Sequence, residues 1–237
     1  YRFIKDKLSE TITMTAHNLA IQSRKGSFRT LKSEYAFGYG NNDFTVEFTD
    51  GTKIRLHGRI DLVEQAHAKK DNYLRIIDFK SGANDLPLAE VYYGLKIQLL
   101  VYLKAALKTM PGYKSAGVLY QYIKNPFING KNKLSPAEAE KLYLKEIKPK
   151  GLLLGKFEPL YLADNTLLDT QASDILPIKL KKDGQEYLKS YGLLPPEDKD
   201  LTELFDQYSA VASQSQFDAL EKHIDKIILE TGMQILN

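Results

Sequence analysis

The chain has 237 residues, 43% of them hydrophobic, which is enough apolar material to fill the interior of one large domain. It contains no cysteine, which excludes disulfides, thiolate catalysis, sulfur-bound zinc and an iron–sulfur cluster in this segment, so any metal must be held by oxygen or imidazole. A formal net charge of +3 permits a nucleic-acid partner without pointing to one; no apolar run approaches the roughly 20 residues that cross a bilayer, so no membrane is expected and the expected address is the cytoplasm.

In chain order, Leu8, Ile12, Met14, Ala16, Leu19 and Ile21 predict a helix across Arg2 to Gln22, weakened by its threonines. From Leu31 the period changes: Phe44, Val46 and Phe48 alternate with polar residues, Asp50-Gly51 signals a hairpin, and Ile54 to Val63 continues as a strand. Tyr73 to Phe79 is a further β-branched strand, so three or more antiparallel strands are expected. Pro87 to Lys108 predicts one helix, its apolar residues Leu88, Val91, Leu95, Leu99, Tyr102, Leu103 and Ala106 at helical spacing, closed by Pro111-Gly112. Ser115 to Ile123 returns to strand, an order that suits an α/β sheet with a crossover.

Asn125 to Asn132 reads as a loop, and Ser135-Pro136 with Glu138 as a capped helix start running to about Ile147. Gly151 to Ile178 has short apolar runs broken by Gly, Pro, Asp and Asn, the pattern of an insertion or a lid. Leu193-Leu194-Pro195-Pro196 is a rigid connector, with helices expected over Leu201 to Ala212 and Gln216 to Leu236. The whole of 1–237 is expected to be a single domain: a core of about 31–124, a possible insertion at 125–180 and C-terminal helices at 181–237. The opening at Tyr1 and the apolar run ending at Leu236 suggest a piece of a longer chain.

The chemistry concentrates on two neighbouring strands. By alternation Arg59, Asp61 and Val63 share one face and Ile60 and Leu62 the other, while Asp78 and Lys80 share a face opposite Ile77 and Phe79. Carboxylates in apolar strands are costly to bury unless paired or bound to a cation. Phosphodiester hydrolysis requires such a set, because a divalent ion on hard oxygen ligands offsets the charge of the phosphate and activates water. Asp61, Asp78 and the backbone carbonyl of Phe79 are the candidate metal ligands, and Lys80 the group that orients water or stabilises charge. Gln98 and Tyr102, four apart on the helix, stand one above the other and can support the lysine, water or phosphate.

Gly58-x-x-Asp61, Asp78-x-Lys80 and Gln98-x-x-x-Tyr102, in that order, resemble the signature elements of the RecB-like branch of the PD-(D/E)xK nuclease superfamily. The runs around them, from about Leu56 to Ile128, are most similar to the C-terminal nuclease domain of the B subunit of the AddAB or RexAB helicase–nucleases. The resemblance implies a restriction-endonuclease-like core, with a mixed central sheet flanked by helices, and cleavage of single DNA strands, or of duplex unwound by a helicase, with Mg2+ (Mn2+ as a substitute). It also implies an A-subunit helicase partner and a place in double-strand-break repair by recombination. Asp61 and Asp78 then become metal ligands, Lys80 the catalytic lysine, and Gln98 and Tyr102 supporting residues. This chain departs from the family twice: the four cysteines of the iron–sulfur members are missing, and the upstream histidine or acid has only His17, Glu34 and Glu47 as weak candidates.

An isolated Asp-x-Lys is commonly a surface pair, and only the ordered set gives it meaning. Tyr102 lies on the apolar stripe and equally suits core packing. His57 and His67 read as strand-edge or turn residues, Lys179 to Lys182 as a solvated face, and Tyr92 and Tyr93 as core aromatics before base-stacking ones. The reading from a different class is a catalytically silent DNA-binding or subunit-docking module that keeps the fold.

Overall fold

The computed structural model describes residues 1–47, 50–82, 85–128, 134–191 and 199–236. Its elements are α1 (Arg2–Lys25), β1 (Arg29–Phe37), β2 (Thr45–Glu47), β3 (Lys53–Arg55), β4 (Gly58–His67), β5 (Asn72–Lys80), α2 (Leu88–Tyr92), α3 (Gln98–Thr109), β6 (Tyr113–Tyr122), α4 (Pro136–Glu146), β7 (Lys150–Leu154), α5 (Phe157–Ala163), α6 (Lys182–Tyr191), β8 (Val211–Ala212) and α7 (Gln214–Leu236). A six-stranded sheet runs in the order β1-β4-β5-β6-β7-β8, and β2 and β3 form a separate hairpin. β4 runs antiparallel to both of its neighbours, β1 and β5, whereas β5 and β6 are parallel, joined by the α2–α3 crossover. The chain thus has the mixed α/β sheet flanked by helices that the sequence implies.

Apolar residues from the two faces of the sheet form two separate core layers. One joins Leu74, Ile76, Val118 and Tyr120 to Leu99 and Leu103 of α3 and to Phe217, Ile224 and Ile228 of α7. The other joins Tyr73, Ile77 and Leu119 to Ile21 of α1, Tyr143 and Leu144 of α4, and Phe157 and Leu160 of α5. A strand buried on both faces is largely apolar, and β5 is so from Tyr73 to Ile77 except at Arg75, whose buried guanidinium is paired with Glu64 at 2.6 Å. α4 starts as expected, with the Ser135 hydroxyl and the Glu138 carboxylate closing a capping box.

Four expectations need correction. The helix predicted over Pro87 to Lys108 is two helices: Gly94 sits at φ 76°, Leu95 N–H reaches Glu90 O at 2.8 Å and Gly94 N–H reaches Val91 O at 3.0 Å, a Schellman ending. Leu88 and Leu95, placed on the apolar stripe, are therefore exposed. The strand expected over Ile54 to Val63 is interrupted at Leu56-His57, between β3 and β4. Leu201 to Ala212 is not a helix, because Asp200 accepts from Thr202 N–H and Asp206 from Tyr208 N–H, turning the chain into a short 3-10 segment and then β8.

Gly151 to Ile178, read as an insertion or lid, supplies β7 to the sheet and buries Leu153, Phe157, Leu160, Leu167, Ile175 and Ile178 in the α1 layer. β1 carries too few buried residues to announce itself, being an edge strand with a largely exposed pattern. Phe48 of the predicted alternation, the end of the 125–132 loop and the Leu193 to Pro196 connector lie outside the described residues.

Candidate active site

β5 delivers the first part of the site. Leu74 and Ile76 pack on the α3 side, so Asp78 and Lys80, continuing that series, face α3 as well. Asp78 is 2% exposed. Lys80 Nζ lies 2.6 Å from Asp78 Oδ2 as an ion pair, and that ammonium is the only partner this buried oxygen has among the described residues. Burial pushes the Asp78 carboxyl above its ordinary range; the Lys80 ammonium pulls it back, and the charge of Asp61 adds a smaller upward push.

Asp61 reaches this point through a break in alternation. Its neighbours Ile60 and Leu62, expected together on one face, pack in opposite layers, Ile60 with Val63 on the α3 side and Leu62 on the α1 side. The cause lies in the ladder: pairing of β4 with β5 ends at Leu62 opposite Ile77, and the next N–H on β5, that of Phe79, donates to Asp61 Oδ2 at 2.8 Å instead of to a main-chain carbonyl. The side chain has replaced the backbone as acceptor, which splays the two strands. In an extended strand the N–H and C=O of one residue point to the same edge, and Lys80 O is engaged on the other edge by Ile123 N–H. The Phe79 carbonyl therefore points toward Asp61.

α3 supplies the rest. Gln98 opens the helix, its Nε2 donating to Tyr102 Oη at 2.8 Å, while its Oε1 accepts from Lys80 Nζ at 3.4 Å. The expected i, i+4 pair is thus a relay from the phenol through the amide to the lysine. The Tyr102 ring packs edge-on against Phe37 with centroids 5.8 Å apart. Gly58 makes that possible: a Cβ there would lie 2.9 Å from the Phe37 ring and 3.5 Å from Tyr102. The glycine of Gly58-x-x-Asp61 is thus a steric requirement of the aromatic packing below the site.

Tyr120 was not among the residues singled out from sequence. It pairs with Asp78 across β5 and β6, is buried, and its ring centroid lies 5.5 Å from Lys80 Nζ. Burial, then Asp78 and Tyr102, push its phenol up to about 12, so it remains a neutral hydroxyl. The signal was present, because Tyr120 and Tyr122 are two apart in an apolar strand and so share a face.

The three upstream candidates have other partners. His17 is 3.4 Å from Glu140, Glu47 is 3.3 Å from Lys53, and Glu34 is 3.4 Å from Arg59. Glu34 nevertheless stands in β1 where the register sets it opposite Asp61, at a φ of 49° that is costly for a non-glycine residue. His67 bonds Asn72 at the β4–β5 turn, a turn residue as expected. Tyr92 and Tyr93 are exposed rather than core, and the Tyr92 ring is stacked at 4.8 Å on His223 of α7.

The profile of the PD-(D/E)XK nuclease superfamily matches residues 2–232. The chain belongs to that superfamily. It is 35% identical to the B subunit of the ATP-dependent helicase/deoxyribonuclease of Oceanobacillus iheyensis over all of its own length, and 35% identical to the B subunits of the same name from Bacillus thuringiensis and Bacillus cereus over 98% of it. It spans 19% of the length of each of these relatives.

Enzymes of the PD-(D/E)XK superfamily generally use divalent metal ions, and this domain's donor set fits one. Among the described residues no three His, Asp or Glu side chains converge as a ready-made cage. What this PD-(D/E)XK domain offers is two carboxylates and a main-chain carbonyl, all hard oxygen donors, with one carboxylate oxygen buried and partnered only by the Lys80 ammonium among the described residues. Few protein ligands, completed by water and substrate phosphate, is the manner in which Mg2+ is held.

Proposed function

We propose that this domain is a magnesium-dependent deoxyribonuclease that hydrolyses phosphodiester bonds in single strands of DNA, as the cutting module of a helicase–nuclease. The reading carries with it an A-type helicase subunit as partner, a cytoplasmic setting and a role in double-strand-break repair and recombination. The relatives named as B subunits of a helicase/deoxyribonuclease support it. Among the described residues, no helix is long and apolar enough to cross a membrane.

The observation that carries the proposal is the buried Asp78 oxygen, with no partner among the described residues but the Lys80 ammonium 2.6 Å away, and with the charge of Asp61 acting on the same carboxyl. In this reading Asp61, Asp78 and the Phe79 carbonyl hold Mg2+, with Mn2+ able to replace it. When bound, the ion offsets the growing charge on the phosphate and makes water a better nucleophile. Lys80 holds the attacking water in line or stabilises the developing oxyanion, since its ammonium already lies 2.6 Å from Asp78. Gln98 limits where the Lys80 ammonium can go, and Tyr102 fixes the rotamer of Gln98.

The test is cleavage of end-labelled single-stranded DNA with Mg2+ by the two-subunit complex, comparing wild type with Asp78→Ala and Lys80→Ala. Each substitution is expected to lower the rate by at least about 10²-fold, the scale of removing one preorganised charge-stabilising group. Equal cleavage by all three proteins overturns the assignment. A wild-type complex that binds the strand but does not cut it with Mg2+ or Mn2+ favours the silent DNA-binding module instead.

A further inference from the structure

Directly after Lys80 the chain enters the wall of a cleft of about 800 Å³. Ser81 and Gly82 form its near edge, and its lining includes Tyr122, Lys124, Lys148, Lys150, Lys179 and Tyr208. The strand register ties this cleft to the site. Lys80 pairs with Tyr122, while Asp78 pairs with Tyr120, which in turn pairs with Lys150 on the far side of β6. The cleft therefore lies along the same end of the sheet as the carboxylates, extending away from them across β6 and β7.

Its charge is one-sided. Lys145 joins the four lysines named above, against the carboxylates of Glu146 and Asp206, and Asp206 is engaged in the turn that holds Tyr208 N–H at 2.9 Å. Among the described residues none of the five lysines has a carboxylate oxygen within 4.0 Å. Lys148 is partly buried, donating to the Ser173 carbonyl, and burial pushes its pKa down by more than the charges of Asp174 and Asp164 raise it. Lys124 lies over the Tyr122 ring at 4.9 Å, and Tyr208 is 86% exposed. A solvated face disperses such charges or pairs them; a concave wall concentrates their field on whatever enters.

We infer that this cleft is the track of a single DNA strand, with its lysines taking successive phosphates and Tyr208 offering a face to a base, so that the next phosphodiester along the strand reaches Asp78 and Lys80. A regular row of negative charge is what unpaired lysines at one end of a sheet would select, and an exposed ring beside them accepts any base by stacking. The inference rests on the nuclease reading above. It also revises the view of Lys179 as part of a solvated run, because the fold brings it to the same cleft as Lys124, two residues past β6, and Lys150, at the start of β7.

The experiment is fluorescence anisotropy of a fluorescein-labelled oligo-dT of about 15 nucleotides with the 237-residue chain, in EDTA so that nothing is cut, repeated over a range of salt concentrations. Lys124→Gln/Lys150→Gln/Lys179→Gln is expected to weaken binding at least about tenfold and to reduce the slope of log K against log salt by about 2, from a slope of roughly 0.7 per phosphate contact on single strands. The corresponding arginine triple retains the wild-type slope, which separates charge from misfolding. Lys7→Gln/Lys32→Gln/Lys222→Gln, an equal loss of charge elsewhere, leaves the slope unchanged. Tyr208→Ala weakens binding about fivefold, the low end of a lost base stack, with no change of slope. Wild-type slope and affinity in the glutamine triple overturn the track, as does a wild-type chain that does not bind the strand. A wild-type two-subunit complex that does not cut with Mg2+ or Mn2+, alongside a glutamine triple that has lost slope, sinks the nuclease reading while leaving the track standing.

Discussion

Two buried aspartates lie on opposite sides of the sheet, and the contrast between them separates architecture from chemistry. Asp164, at the end of α5, is fully buried and fully satisfied: its Oδ1 accepts from Thr166 N–H at 2.9 Å and from the Thr166 hydroxyl at 2.6 Å, and its Oδ2 from the Ser173 hydroxyl at 2.6 Å. Asp78 is nearly as buried, yet its Oδ2 has only the ion contact with Lys80, and burial drives its carboxyl upward. A buried polar group with all its bonds made contributes rigidity, while one left short imposes a cost that the fold must offset elsewhere. Asp164 closes the loop that clamps the end of α1, where Asn165 N–H also meets Lys25 O at 2.7 Å. Asp78 has a single cationic partner in place of that full set of bonds.

The same substitution at both positions gives the largest contrast in stability. In Asp164→Asn the new amide has nowhere to donate, because Ser173 Oγ already accepts from Ile175 N–H and Leu176 N–H and has only its hydrogen to give. We expect a loss of about 2 kcal/mol, hence a melting temperature lower by roughly 4–8 °C for a domain of this size, by calorimetry or a thermal-shift assay. Asp78→Asn in EDTA is expected to melt no lower than wild type, and up to about 1 kcal/mol more stable, because it removes a charge that burial disfavours. Mg2+ should raise the melting temperature of wild type and not of Asp78→Asn; equal responses to the ion would break the contrast.

Glu221 on α7 is the intermediate case and carries the smallest expected effect. Burial pushes its carboxyl up, the Lys104 ammonium pulls it down, and Asp218 and Asp225 push it up again. A folded-state pKa above the unfolded value gives stability that is complete below the unfolded pKa and is lost as pH rises through the folded one. Glu221→Gln should therefore gain on wild type as pH climbs from about 4, the unfolded value for Glu, toward neutrality. A denaturant series over that range that shows no widening gap removes Glu221 from the comparison.

Local pattern alone made the site strands legible. β5 is apolar but for Arg75 between Tyr73 and Ile77 and ends in Asp78-Phe79-Lys80, so strict alternation was enough to set Asp78 and Lys80 toward one helix. The Gln98 and Tyr102 pair depends only on helical spacing and survived even though the helix around it is shorter than expected. At Asp61 local pattern fails. Its path to Phe79 N–H depends on the β4–β5 ladder ending at Leu62, and that ending makes Ile60 and Leu62 pack on different faces against the period of the strand. The break at Gly94 is similar. The apolar spacing runs across it unchanged, but the backbone turns left-handed where Ile227 of α7 leaves no more than 3.2 Å for a Cβ.

The sequence by itself determined the order of the strands β4, β5 and β6 with a helical crossover before β6, the face shared by Asp78 and Lys80, the Gln98–Tyr102 pair and the capping box at Ser135, because each depends on residues close together along the chain. Only the tertiary structure decided that Tyr120 borders the site, that 151–178 is built into the core, and that Lys124, Lys150, Lys179 and Tyr208 meet around one cleft. Those juxtapositions join residues tens of positions apart, and they are selected by the packing of two core layers against one sheet, which no local period encodes.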